Sequence, residues 1–363
     1  MNVHHDRIAR VQQLMKTKGI DYLVLAPTPN MFYLTGMKTV ADERLQAAIV
    51  PKEGALTMVL PEMYKETAAG QCENWRLLTW SDHQDPVELV KSAIAITGGR
   101  AAIDEKMWAG HFLRVMSVFS DFKFFQAADV LRELRMVKDE QELAFLKQSG
   151  QLADMVMEEV LQEIREGVKE KELALFVEKR VKTLGAEDIS FKPIIASGPN
   201  GSLPHHNTGE RRLQKGDFVT MDFGAVLQGY CSDITRTIHI GKATNEEKEV
   251  YRVVQQANEA GFNAAGAGVA CQEVDRATRR VIASAGYGHC FLHRTGHGIG
   301  LDYHEEPYIV EGNDICLRRG MVFSVEPGIY LTGKMGVRIE DIIALTGDGP
   351  VRFNNFTREL IEI

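Results

Sequence analysis

Apolar residues recur at helical spacing near the start of the chain. Ile8, Val11, Leu14 and Met15 form one stripe, with Asp6 ahead of it as a cap and Gly19 behind it as a stop. Short apolar runs follow. Residues 22–26 predict a buried strand, residues 47–50 and 56–60 a hairpin around Lys52-Glu53-Gly54, and residues 100–103 a further strand. The pattern changes near residues 122–138, where the charged run Arg132-Glu133-Leu134-Arg135 marks a boundary. Asp139 and Glu142 then have capping-box spacing for a long helix with Leu143, Leu146, Ala153, Val156 and Val160 on one face, closed by Gly167. A second helix carries Leu173, Phe176, Val177 and Val181, and strands run to about residue 240.

The same order then repeats. Thr244 and Glu247 form another capping box, helices are expected near 245–262 and 271–285, and strands at 320–326 and 337–345. The second part therefore reads as a duplicated helix–helix–strands unit, an α+β arrangement with its copies around a pseudo-twofold axis. The expected division is a first domain over 1–125, a linker over 126–138 and a second domain over 139–363.

Each copy contains one short phrase ending in an acid. Lys215-Gly216-Asp217-Phe218-Val219-Thr220-Met221-Asp222 parallels Arg319-Gly320-Met321-Val322-Phe323-Ser324-Val325-Glu326. A second acid follows each, Asp233 after Asp222 and Glu340 after Glu326, and His297 stands between the copies in Gly296-His297-Gly298. A hairpin turning near 227–229 would bring Asp222 and Asp233 onto one face, and Glu326 and Glu340 would repeat the device. Four carboxylates so close raise each other's pKa, and they stay ionised together only beside cations. Two divalent ions match four negative charges with a neutral imidazole, whereas one ion leaves two charges uncompensated. Oxygen-rich ligation with one nitrogen favours manganese, cobalt or iron over a thiolate zinc site. Cys231 shares a strand face with Asp233 but has no thiolate partners nearby in sequence.

Composition narrows the remaining readings. The net charge of −8 argues against a nucleic-acid partner, and no apolar run reaches membrane-spanning length. The N-terminus is polar without a signal-peptide h-region, and Cys72, Cys231, Cys271, Cys290 and Cys316 are scattered without a C-x-x-C pair. A cytoplasmic protein with reduced cysteines is expected. The glycines around His297 lack P-loop and dinucleotide spacing, so they read as places where backbone passes close to a ligand. His83 and His111 are isolated and carry no expected role.

The phrases Met221-Asp222-Phe223-Gly224, Ser232-Asp233-Ile234-Thr235-Arg236, His293-Arg294-Thr295-Gly296-His297-Gly298, Val325-Glu326-Pro327-Gly328 and Val337-Arg338-Ile339-Glu340 together resemble those of the creatinase/prolidase, or pita-bread, metallopeptidase family. The resemblance covers essentially the whole chain. It implies a C-terminal pita-bread fold behind a creatinase-type α/β domain. It implies two metals on Asp222, Asp233, His297, Glu326 and Glu340, with Asp233 and Glu340 bridging. Manganese is the first expectation, and cobalt, iron or zinc the alternatives.

The same resemblance implies that His205, His293 and His304 act on substrate, His205 being preferred to His206 because it follows Pro204. Glu326 would move a proton to and from the attacking water. His293 and His304 would hydrogen-bond the carbonyl and the developing oxyanion, and His205 the substrate backbone. Arg338 would orient a carboxylate, with Thr235 also supporting the site. Phe191 and Tyr330 would wall the pocket. The implied reaction is hydrolysis of Xaa-Pro bonds by a hydroxide held between the metals, in proline-containing dipeptides or short peptides, by a homodimer. Tyr308 stands where some family members carry an arginine after His-Glu-Glu-Pro, which leaves an Xaa-Pro aminopeptidase on longer peptides as the alternative to a dipeptidase. A non-catalytic pita-bread binding module is the remote alternative. It would lack ligands that are all present here.

Overall fold

The computed structural model describes residues 3–70 and 75–363, so Cys72 lies outside the described residues. The chain forms two compact units, Met1–Arg135 and Met136–Ile363.

The first unit is built on a six-stranded mixed sheet. Tyr22–Leu25 lies inside it, antiparallel to Ala47–Pro51 and parallel to Gly99–Ile103, and all four of its residues are buried. A strand covered on both faces reads as a continuous apolar run, which is why Tyr22-Leu23-Val24-Leu25 was legible. Ala47–Pro51 and Thr57–Pro61 form the expected antiparallel pair. The first helix runs over Val3–Lys18, so Asp6 falls inside its opening turn and is not its cap. There the carboxylate still suits the positive end of the helix dipole. Ala128–Met136 is a helix, within the stretch expected to join the domains.

The second unit repeats helix pair and strands twice. Glu140–Leu161 opens on a capping box made by Asp139 and Glu142, and Asn245–Ala264 opens on one made by Thr244 and Glu247. Each helix pairs with a shorter one, Glu170–Thr183 and Cys271–Ser284 respectively. In the first copy Phe218–Phe223 lies between Ile194–Ser197 and Ile234–His239. In the second, Val322–Val325 pairs with Asp341–Thr346 on one side and meets Gly296–Gly298 on the other. Leu152, Val156, Val177, Met221 and Ile234 fill the core of the first copy, and Val274, Phe323, Val325 and Ile343 that of the second.

Two details differ from the sequence expectation. Between Asp222 and Asp233 the chain makes a small extra hairpin, Ala225–Leu227 against Tyr230–Cys231, turning at Gln228 and Gly229 with φ of 51° and 81°. Positive φ at both turn residues matches the twist of a tight hairpin. The stretch 337–345, expected as one strand, is two. Met335–Arg338 pairs with Gly328–Leu331, Asp341–Thr346 pairs with Val322–Val325, and the chain breaks at Ile339 and Glu340.

Buried side chains satisfy the backbone at this break. Asn258 Nδ2 donates to the carbonyls of Val325 and Ile339, and Arg236 Nη1 donates to that of Glu340 at 2.6 Å. Arg236 is itself neutralised by Asp341, 2.7 Å away. The sequence marks the break only weakly: apolar–polar alternation over Val337-Arg338-Ile339-Glu340 gives way at Asp341 to the apolar run Ile342-Ile343-Ala344-Leu345.

Gly224 marks where the first copy's strands leave each other. A Cβ placed there would lie 1.8 Å from the Ser232 carbonyl oxygen, so backbone must move to admit it. Gly224→Ala should destabilise the protein by about 1–3 kcal/mol in denaturant unfolding, while Gly110→Ala, in a helix and meeting nothing within 4 Å, should leave it unchanged or stabilise it by up to about 1 kcal/mol.

Candidate metal centre

Strand register delivers the acids. Asp222 sits opposite Thr235, and Ile234 opposite Phe223 closes the pairing, so Asp233 lies just past its end. In the second copy Val325 pairs with Asp341, leaving Glu326 and Glu340 just past that end. The two copies are then tied together. The Glu340 amide donates to the Thr235 carbonyl at 3.1 Å, and Thr235 Oγ1 donates to Glu340 Oε2 at 2.7 Å. A cross-copy bridge of two residues thus brings both acidic pairs to one place.

Asp233, His297 and Glu340 are all buried, and each offers a ligand atom within 4.8 Å of the others. His297 Nε2 also lies 3.3 Å from Glu326 Oε1 and 3.7 Å from Asp233 Oδ2. His297 Nδ1 lies 3.1 Å from the Gly298 carbonyl, which assigns the proton to Nδ1 and leaves the Nε2 lone pair facing the acids. Burial, first of all, holds this imidazole well below its usual pKa, so it is neutral. Close passage of backbone makes this possible. A Cβ on Gly296 would meet the Ser324 carbonyl oxygen at 1.9 Å, and one on Gly298 the Glu306 carbonyl oxygen at 2.3 Å.

Burial and mutual repulsion push the carboxylates the other way. Asp233 is raised well above the usual range by burial, then by Glu340, Asp222 and Glu326. Glu340 is raised by burial, then by Glu326 and Asp222. Burial lifts Glu326 to about 7, opposed chiefly by Arg338. One buried oxygen on each of Asp222, Asp233 and Glu340 has no hydrogen-bond partner. Unpaired buried carboxylate oxygens are costly, and a hard cation meets that need. The donor set therefore fits divalent ions.

Arg338 orients an acid, but its partner is Asp222 rather than the sequence neighbour Glu340. Nη2 donates to Asp222 Oδ2 at 2.6 Å, and Nε donates to Thr235 Oγ1 at 3.2 Å. The strand break between Arg338 and Glu340 turns the two side chains to different partners. Ser324, which sequence reasoning missed, accepts from the His297 amide at 3.0 Å and donates to Glu326 Oε1 at 3.1 Å. Its only signal was its place two residues before Glu326 on one strand face.

These groups open on a cleft of about 680 Å³ lined by Phe191, His205, His293, Arg294, His304 and all five metal-ligand candidates. His206 also reaches the cleft, but its Nε2 is held by Glu170 Oε2 at 2.9 Å, while the neighbouring His205 ring is exposed. His293 differs from expectation. Its Nδ1 faces the Arg294 carbonyl at 2.7 Å and its Nε2 the Tyr330 hydroxyl at 2.8 Å, so both ring nitrogens are engaged within the protein. Tyr330 in turn accepts from Arg338 Nη1 at 2.9 Å and stands behind His293 rather than walling the cleft. Burial pushes His293 down to about 3. Burial, followed by Arg294 and His205, pushes His304 down to about 4. Phe191 does line the cleft, its ring 5.5 Å from that of Tyr303. The Cys231 thiol is buried and donates to the Leu301 carbonyl.

Comparison with known proteins agrees with this geometry. Residues 144–347 match the metallopeptidase family M24, and residues 7–137 match the creatinase/prolidase N-terminal domain. The chain is 34% identical over 366 residues to an Xaa-Pro dipeptidase of Pyrococcus horikoshii, covering 99% of this chain and 100% of that one. Its fold superposes on a recombinant prolidase from Thermococcus sibiricus with a TM-score of 0.96 and 40% identity, over 100% of both chains. It likewise superposes on dipeptidase PepE from Mycobacterium ulcerans with a TM-score of 0.92 and 38% identity, over 99% of this chain and 98% of that one. The chain belongs to metallopeptidase family M24 and has that family's pita-bread domain behind a creatinase-type domain. It is a metallopeptidase, an enzyme that works with divalent metal ions. No helix among the described residues is long and apolar enough to cross a membrane.

The raised carboxylates set the pH dependence. The ordinary value of Glu326 is 4.5 and its folded value about 7, so it stabilises the metal-free protein below the first and loses that contribution as pH rises through the second. Cation binding needs the ionised form. The rise in Tm on adding Mn²⁺ to chelator-stripped protein should therefore be larger at about pH 8 than at about pH 5.5, read by calorimetry. An equal rise at both would contradict the assignment.

Proposed function

We propose that this protein is an Xaa-Pro dipeptidase using two divalent ions, with manganese the first expectation. The observation that carries the reading is the meeting of four carboxylates and one neutral imidazole at a single cleft, in a chain whose relatives include enzymes named for that activity. The charge count supports two ions, and the oxygen-rich donor set supports manganese over a thiolate-type metal. In this reading Asp222, Asp233, His297, Glu326 and Glu340 would hold the ions. When bound, the ions would supply Lewis-acid polarisation of the scissile carbonyl and a nucleophile at neutral pH.

The chain's own groups carry the other parts. Glu326, which lines the cleft beside His297, is assigned to take a proton from the attacking water and pass it to the leaving proline nitrogen. That nitrogen has no hydrogen in the substrate and must gain one as the bond breaks. His304, neutral near pH 7, can donate to the developing oxyanion. His205, exposed on the cleft wall, is assigned to the substrate backbone. His293 is assigned to shaping the wall, its nitrogens being engaged by Arg294 and Tyr330. Arg338 and Thr235 hold Asp222 and Glu340 in place, and Phe191 offers an apolar surface to the substrate.

Arg294 supports a dipeptide over a longer peptide. Its guanidinium lies 4.4 Å from the centre of the Tyr308 ring and lines the cleft, and among the described residues no carboxylate forms an ion pair with it. It brings a cation to the place where Tyr308 itself has none. A guanidinium there can bind the terminal carboxylate of a dipeptide, which a longer peptide places elsewhere. The alternative of an Xaa-Pro aminopeptidase rests on Tyr308. The free state of Cys231, Cys271, Cys290 and Cys316 supports a cytoplasmic setting. A homodimer completes the proposal and is open to sedimentation.

Ala-Pro should be cleaved with a higher kcat/KM than Ala-Pro-Ala. Arg294→Gln should lower kcat/KM for Ala-Pro by about tenfold or more, mainly through KM, with less than about threefold effect on Ala-Pro-Ala. A preference of the native enzyme for the tripeptide would sink the dipeptidase reading.

A further inference from the structure

The segment that carries His205 is held by a carboxylate outside the metal centre. Glu170, the first residue of its helix, is fully buried, and its two oxygens collect donors from one stretch of chain. Oε1 accepts from the Ser197 amide at 2.8 Å, from Ser197 Oγ at 2.7 Å and from Asn200 Nδ2 at 3.0 Å. Oε2 accepts from Asn200 Nδ2 at 3.2 Å and from His206 Nε2 at 2.9 Å. The same stretch is held from its other side by the second copy. Ser202 Oγ accepts from the Gly333 amide at 3.1 Å, and the Pro204 carbonyl accepts from Arg338 Nη1 at 3.3 Å.

Both neighbours of His205 are thus tied down, Pro204 to Arg338 and His206 to Glu170, while the His205 ring itself is exposed on the cleft. A carboxylate buried without these donors would carry a heavy cost, so the contacts to Ser197, Asn200 and His206 are what sustain Glu170 there, and they tie that stretch of chain to the helix. The adjacent histidines divide the work: one turns inward as an anchor so that the other projects outward on a rigid mount. Precise placement of a substrate-holding group matters, since small displacements cost large factors in rate.

We propose that Glu170, acting through His206, is a positioning residue for His205 in peptide hydrolysis. The inference rests on the substrate role given to His205 above. Glu170 touches neither substrate nor metal, and its effect is transmitted through the backbone between Ser197 and His206.

A double-mutant cycle with Ala-Pro as substrate and matched Mn²⁺ loading tests this. His206→Leu removes the donor to Glu170 and should lower kcat/KM by about tenfold. His206→Gln, which keeps an N–H donor, should recover most of that loss. His205→Ala should lower kcat/KM by itself, and the double variant His205→Ala/His206→Leu should be no worse than His205→Ala alone, because the anchor has nothing left to aim. Glu170→Gln, similar in shape but uncharged, provides a second cycle with the same expectation should His206→Leu fold poorly. Losses that multiply in the double variant, or full activity in His206→Leu, would overturn the positioning role while leaving the role of His205 intact. Wild-type activity in His205→Ala would overturn the role of His205, and the inference with it.

Discussion

The structure depends on one electrostatic constraint: carboxylates from two separate hairpins share a buried space. Asp233 and Glu340 present oxygens within 4.8 Å of each other, with His297 between them and Glu326 beside it. At such distances each carboxylate pair repels by roughly 3 kcal/mol at an effective dielectric near 20. Several such pairs together rival the net stability of a domain, about 5–15 kcal/mol. Arg338 neutralises part of Asp222, but no other cationic side chain forms an ion pair with these acids among the described residues. Proton uptake is the recourse when metal is absent, and divalent cations are the resolution when it is present.

The fold serves this meeting. Duplication supplies two hairpins, each placing acids at or just past the end of regular pairing, and the Thr235–Glu340 bridge joins them. The break at Ile339 and Glu340 takes Glu340 out of regular pairing so that its amide and side chain reach the other copy. Asn258 and Arg236 then accept the cost of the interrupted ladder by bonding its carbonyls. Around the acids, Ser324, Thr235 and Arg338 fix orientation, and the Glu170 anchor performs the same service for the cleft wall.

Much of this was readable from the chain alone. The capping boxes at Asp139 and Thr244 announced the two long helices, because cap and third-residue partners lie close in sequence. The acidic phrases were readable because each is a local strand pattern written twice. Features that join distant segments were not. Spacing from Glu340 could not show that Arg338 pairs with Asp222, since a strand break lies between them. Nothing near Glu170 distinguishes it from an ordinary acid in a first helical turn. The choice of His205 over His206 rested on a single proline, and the physical distinction, a buried partner for one ring, exists only in three dimensions. The start of the first helix was misread because its initial residues, Val3 to His5, carry no capping signal.

The central claim is tested most directly by Asp233→Asn, which keeps the shape of the side chain and removes one negative charge. In chelator-stripped protein the substitution should raise Tm by at least about 2 °C, because repulsion and charge burial are relieved. It should also abolish most of the gain in Tm that Mn²⁺ gives the native chain. A lower Tm for the stripped variant, together with an undiminished response to Mn²⁺, would contradict the account.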